Sequence, residues 1–233
     1  MFEFSAKDLQ RNIKLPKHSE VLAELFGILC GDGSLINRGR IHRVSISLNL
    51  TEDMHYSNYV NNLIKILFNI DSIMNYREDH RIEMLINSKT IVDFLLSEGL
   101  TSSPKDFKLK VPAWIAENNS FMTSFIRGLA DTDGSLFFAK RGTYSKNEYP
   151  VIEIKLHNNK CFIESLSKYL KSIGFNVYQT DIKVQINGKR GLFLWRKSIG
   201  FSNLNQISRY LVWERFGYCP SKTTLSERIA LLG

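Results

Sequence analysis

Only three cysteines, Cys30, Cys161 and Cys219, occur in 233 residues, an odd number with no CxxC spacing, which excludes a disulfide scaffold and a thiolate zinc site. Five prolines and 14 glycines leave no room for a long flexible linker, and no apolar run approaches the roughly 20 residues of a membrane span. The first 20 residues lack the unbroken apolar stretch of a secretory signal. The expectation is a globular, non-secreted protein with no membrane partner, in a reducing compartment such as a prokaryotic cytoplasm or an organelle. Acidic residues are also in deficit, 23 against 31 Lys and Arg, for a formal charge of +8. The deficit is local. Residues 1–116 hold 14 basic and 14 acidic side chains, residues 117–233 hold 17 and 9, so the whole excess lies in the second half. Such a bias suits a polyanionic partner.

What the chain does have is a repeat. ELFGILCGDGSL at 24–35 and SFIRGLADTDGSLFF at 124–138 align on Asp-Gly-Ser, so that Asp32 matches Asp133. A polar stretch and then an alternating run follow each, VSISLNL at 44–50 and VIEIKLH at 151–157, the period-2 signature of strands buried on one face. Helical spacing comes next in both, at 56–68 and 161–175. Further strands are expected at 81–87, 182–186 and 191–195, with helices near 89–98 and 204–215. GLTSSPKDFKL at 99–109 and GYCPSKTTL at 217–225 form similar tails. Each half therefore predicts an αββαββα order, one repeat over 1–116 and one over 117–233, joined through a short connection at 110–120.

The two motif segments predict helices, with Ser19 as N-cap of the first and Ser120 of the second. Gly27 and Gly31 lie four apart, as do Gly128 and Thr132, and small residues at that spacing let two backbones approach closely. Parallel packing brings Asp32 and Asp133 together at the C-terminal ends, where the last carbonyls lack partners and the macrodipole is negative. Two carboxylates there repel each other unless a cation intervenes. Hard oxygen ligands, namely Asp32, Asp133 and the main-chain carbonyls of Gly31 and Thr132, suit Mg2+ or another hard divalent cation. Such an ion activates water and stabilises the oxygens of a phosphodiester undergoing hydrolysis.

LFGILCGDG and IRGLADTDG resemble the two motifs of the LAGLIDADG homing endonucleases, and the resemblance runs from about residue 16 to 225. It implies an α+β fold of two pseudosymmetric αββαββα repeats packed through the motif helices, with antiparallel sheets forming a saddle over duplex DNA. It also implies a monomer that cuts a long, asymmetric site, with Asp32 and Asp133 as the metal-binding acids. Cys30 replaces the first acid of the motif, which Asp131 retains in the second half. For the residue that assists from the sheet, Asn49 and Lys155 are nominated as matching positions, with His157 nearby and Lys89, Lys105 and Lys222 as rivals. The polar faces offer Asn37, Arg38, Arg40, Arg43, Arg77 and Arg81 from the first half. The second offers Lys140, Arg141, Tyr144, Lys146, Asn147, Gln179, Lys183, Gln185, Lys189 and Arg190. Arg reads guanine and Asn or Gln adenine, whereas Lys mostly neutralises phosphate, so the second half should carry more of the salt-dependent affinity.

Rivals fall on chemistry. DTDGS opens like a calcium loop, yet Gly142 stands at the twelfth position where an EF-hand needs an acid. An aspartic protease would need Asp-Thr-Gly in both halves, and CGDGS lacks it. The serious alternative is a non-cleaving protein of the same fold, either a maturase with intron RNA as its partner or a transcription regulator.

Overall fold

The computed structural model describes residues 4–101, 109–142, 146–157 and 159–233; Lys105 and Tyr144 lie outside the described residues. A short helix α1 (Ala6–Gln10) precedes the first series: α2 (Glu20–Asp32), β1 (Gly33–Arg38), β2 (Ile41–Asn49), α3 (Met54–Phe68), β3 (Ile73–Tyr76), β4 (Arg81–Asn87) and α4 (Lys89–Ser97). After α5 (Ala113–Ala116) the order repeats as α6 (Asn119–Thr132), β5 (Gly134–Ala139), β6 (Tyr149–Lys155), α7 (Lys160–Ser172), β7 (Val177–Gln179), β8 (Lys183–Asn187) and α8 (Gly188–Ser198). Helices α9 (Leu204–Phe216) and α10 (Leu225–Leu232) follow. The strands form two antiparallel sheets of the same order, β1-β2-β4-β3 and β5-β6-β8-β7. The α+β class and the αββαββα order thus match the sequence reading. No helix among the described residues is long and apolar enough to cross a membrane.

Local chemistry explains the helix starts. The Ser19 hydroxyl accepts from the Leu22 amide at 3.2 Å, as expected. The second motif helix starts two residues earlier than predicted: Asn118 is its cap, accepting from the amides of Ser120 and Phe121, and Ser120 sits in the first turn. The strand expected at 191–195 is part of α8. Gly188, at φ +84°, lets the chain turn straight out of β8, and Leu192 and Trp195, three apart, bury one helical face.

Helices α2 and α6 pack backbone against backbone. A Cβ on Gly27 would fall 2.8 Å from the Leu129 nitrogen and closer still to the Phe125 carbonyl oxygen. One on Gly128 would lie 3.1 Å from the Ile28 nitrogen and inside the Glu24 carbonyl oxygen. Apolar side chains from both helices, among them Phe26, Ile28, Leu29, Phe125, Ile126 and Leu129, are buried on either side and join the two sheets' inner faces into one core.

A polar network crosses this interface. Buried Glu24 of α2 pairs with Arg127 of α6 at 2.6 Å and accepts from the hydroxyls of Tyr59 and Ser202. Asp131, 3% exposed, accepts from the amides of Ser202 and Asn203, at 2.6 and 3.2 Å. The Asn203 carboxamide donates to Asp53 of the first half at 2.8 Å and to the Asp131 carbonyl at 3.1 Å. Burial pushes the Asp131 carboxyl up to about 8, and the negative Glu24 adds to this, against the pull of the two amides. Its second oxygen has no hydrogen-bond partner among the described residues.

Two expectations follow from the interface. Gly128→Ala must push the helices apart and should cost about 3 kcal/mol in urea unfolding, whereas Ser165→Ala on an exposed helical face should cost under about 0.5 kcal/mol; equal losses would contradict backbone contact. The Asp131 value is raised in the folded chain, so the native state holds a proton that the unfolded chain releases between about 3.8 and about 8. Its contribution is full at acid pH and is lost as pH rises through that window. Asp131→Asn should therefore flatten the decline in melting temperature from pH 5 to pH 8, and a variant with the wild-type slope would refute the assignment.

Candidate active site

The two motif helices end side by side. Asp32 is the last residue of α2, and Asp133 caps α6, its amide donating to the Leu129 carbonyl at 3.0 Å. Gly31 makes room: a Cβ there would lie 3.3 Å from the Asp133 nitrogen and overlap the Thr132 hydroxyl. That hydroxyl donates back to the Gly128 and Leu129 carbonyls, leaving the helix end closed on itself. Asp32 and Asp133 are each half-buried, neither sealed in the core nor fully exposed. The Cys30 thiol of α2 is pushed up to about 12, by burial first and then by the charge of Asp133 across the interface. Gly31 thus abuts Thr132 and Asp133 across the interface, with Asp32 next in the chain.

The donor set there is oxygen only. Among the described residues no group of three His, Cys, Asp or Glu side chains is placed to hold a metal. Two half-exposed carboxylates at carbonyl-bearing helix ends fit a hard divalent cation that keeps several waters, and do not fit a site closed by protein ligands alone.

Register corrects the two sheet nominations. Gly33 stands opposite Ile46 and Gly134 opposite Ile154, so the counterpart of Lys155 is Ser47 and that of Asn49 is His157. The offset between halves grows because β1 and β2 join through a tight turn at Gly39 and Arg40, whereas β5 and β6 join through a longer loop. Asn49 ends β2 with its carboxamide oxygen accepting from the amides of Thr51 and Glu52, both at 2.9 Å, which commits it to shaping the turn. Lys155 ends β6, exposed and without an ion-pair partner among the described residues. Of the rival lysines, Lys89 pairs with Asp93 on α4, and Lys222 sits at φ 61° in the turn before α10.

The DNA-reading nominations divide the same way. Arg43 lies across from Ile36 and Asn87 on the outer sheet face, its Nε donating to the Asn87 oxygen at 2.8 Å. Arg38 and Arg40 are exposed at the β1–β2 turn. Arg77 pairs with Glu83 and Arg81 with Asp79, and in the second sheet Lys183 pairs with Glu153 at 2.7 Å, beside Gln185. Past β5, Lys140 is exposed; Arg141 lies over the Tyr149 ring and Lys146 over the Tyr218 ring, at 4.6 and 4.4 Å; the Asn147 carbonyl accepts from the Cys219 amide.

Four nominations leave the outer face. Asn37, two residues past buried Leu35, shares its inner face and bonds Asp93 and His42. Gln179 stands across from buried Val184. Lys189 and Arg190 lie in the first turn of α8, not on a strand, with the Lys189 ammonium 5.9 Å from the Trp213 ring. Sequence reasoning missed Tyr178, 55% exposed and across from Gln185, which parity counted back from β8 would have found.

No family model matches the chain. Two curated Methanocaldococcus jannaschii proteins do: a glutamine–fructose-6-phosphate aminotransferase, 22% identical over 210 residues, and an uncharacterized protein, 26% identical over 163 residues. These alignments take in 84% and 69% of the chain, which spans only 18% and 57% of those two proteins' own lengths. Solved structures with similar folds include the homing endonuclease I-DmoI, in mesophilic variants (20% identity, TM-score 0.53, 78% of this chain and 95% of that one). A mutant of I-SmaMI (13%, TM-score 0.58, 88% and 91%) and the full-length DUF199/WhiA protein of Thermatoga maritima (17%, TM-score 0.51, 97% and 69%) are others. A further structure is described as the N-terminal LAGLIDADG domain of DUF199/WhiA (18%, TM-score 0.51, 86% and 92%). With its two Asp-Gly-Ser motifs at the ends of touching helices and its twin four-stranded sheets, the chain has the LAGLIDADG fold.

Proposed function

We propose that this chain is a site-specific DNA endonuclease that hydrolyses both strands of a long, asymmetric target with the help of a hard divalent cation, Mg2+ being the expected one. The observation that supports the reading is the contact between the C-terminal ends of α2 and α6 at Gly31, Thr132 and Asp133, with Asp32 and Asp133 each half-buried there. A variant of I-DmoI, a neighbour at TM-score 0.52 and 21% identity covering 80% of this chain and 96% of its own, was solved with its target DNA in the presence of Mn.

Asp32 and Asp133, with the carbonyls of Gly31 and Thr132, would hold the cation, which supplies charge neutralisation at the scissile phosphate and activation of water. The chain's own side chains do the remaining work. Each repeat, 1–116 and 117–233, lays the outer face of one sheet along the duplex. Lys155, with no ion-pair partner among the described residues, offers its cation to phosphate, and Arg43, fixed by Asn87, presents its guanidinium to a base edge. The excess of positive charge in the second half makes the two sides unequal, as an asymmetric target requires. The chain acts as a monomer because both acids come from one polypeptide.

A non-cleaving binder of the same fold, an intron RNA maturase or a transcription regulator, is the alternative. Two carboxylates facing phosphate weaken binding unless a cation joins them, which favours cleavage. The test is to incubate the purified full chain, with and without Mg2+, with duplex bearing the joined sequence that flanks its gene's insertion point. Double-strand cutting that needs Mg2+ and falls at least about 100-fold in Asp32→Asn and in Asp133→Asn is expected. Tight binding without cutting, or cutting indifferent to both substitutions, would reject the nuclease.

A further inference from the structure

A cleft of about 300 Å³ opens beside the second motif acid. Thr132 and Gly134, the two sequence neighbours of Asp133, line it, together with Ser135 and Phe137 of edge strand β5, Asp53 of the first half and Arg209 of α9. We infer that this cleft is a phosphate site, in which the Arg209 guanidinium holds a phosphodiester of bound nucleic acid next to the one at Asp32 and Asp133. The inference rests on the function proposed above, since it names the backbone contact that the same site makes.

Arg209 is an under-compensated cation. It is half-buried, its Nε donates to the Asn205 carboxamide oxygen at 3.1 Å, and it has no acidic partner among the described residues. The neighbouring guanidinium of Arg228, wholly buried, takes the Glu52 carboxylate at 2.8 Å and shares the same Asn205 oxygen at 2.7 Å. Burial and the charge of Arg228 accordingly hold Arg209 below the ordinary arginine value. Buried charges are normally paired, and a phosphodiester supplies the missing anion in the geometry that a guanidinium binds best. The two acids on the cleft wall do not fill that role. Asp53 spends its oxygens on the Asn203 carboxamide and the Asn49 amide, and Asp131, itself buried, turns one oxygen to the amides of Ser202 and Asn203. The exposed Ser135 hydroxyl, with no bond to another described residue, offers a second donor at the mouth.

The cleft is built around second-half elements, with Asp53 of the first half also lining it. Its wall is α9, and the first half has no comparable helix among its described residues. The bound strand is therefore gripped unequally on the two sides of the cleavage point.

The experiment has two arms on the full chain. In the first, binding to a random-sequence 30-base-pair duplex is titrated with salt in EDTA, so that cleavage plays no part. Arg209→Gln should lower the slope of log K against log salt by about one and weaken binding about tenfold at low salt, while Arg209→Lys keeps the slope. In the second, inorganic phosphate is titrated while the arginine Nε–H resonances are followed by NMR. A saturable shift of one resonance, absent in Arg209→Gln, is expected, and Arg209→Lys serves as the folded control should the glutamine variant melt early. Unchanged slope with no phosphate-dependent shift would overturn the site. A phosphate shift with an unchanged slope would overturn nucleic acid as its occupant. A wild-type chain that binds no duplex would instead sink the nuclease reading, and the phosphate arm would still report on the cleft.

Discussion

Everything at the centre of this molecule depends on how closely two helices can approach. With Gly27 and Gly128 at the crossing, the backbones of α2 and α6 touch, and side chains pack only to either side. That contact fixes the relative height of the two helices, and Gly31 carries it to the last turn, so two helix ends a hundred residues apart in sequence lie side by side. Neither acid would gain from the arrangement by itself. Like charges at the negative ends of two dipoles destabilise each other, and a site built this way is stabilised by a cation.

The interface is symmetric in backbone and asymmetric in chemistry. Where α2 has Glu24 and Phe26, the aligned positions of α6 are Phe125 and Arg127, so the ion pair Glu24–Arg127 forms across the seam while the two phenylalanines join the core. Asp131, Ser202 and Asn203 extend this pair to the α8–α9 connection, and Asn203 carries it on to Asp53 in the first half. Arg228 of the last helix grips Glu52, the neighbour of Asp53. The turn after β2 is thus held from the other half at two points. Duplication supplied a shared skeleton, and divergence filled it with contacts that hold one orientation of the halves.

The fold and the side-by-side motif helix ends were legible because both are written locally. Alternation in VSISLNL and VIEIKLH, the Asp-Gly-Ser repeats and the glycine spacing each need only a few neighbouring residues to be read. What failed needed register or tertiary placement. Asn37 looked like part of a polar run, but parity from Gly33 turns it inward to Asp93. Asn49 and Lys155 looked equivalent until the longer β5–β6 loop shifted the offset by seven residues, from 101 at the motif acids to 108 on the following strands. GLFLW at 191–195 reads as a short apolar strand, and its glycine-led exit from β8 makes it a helix. Arg209 carries no local signal at all, since its charge matters only because Arg228 and a cleft lie beside it.

Cation binding by the unliganded protein tests the central claim most directly. Mn2+ titrated into the full chain and followed by electron paramagnetic resonance should show a bound population that Asp32→Asn and Asp133→Asn each remove or weaken by at least about tenfold. Binding that survives either substitution undiminished would mean that the two acids do not share an ion, and that the helices meet for packing alone.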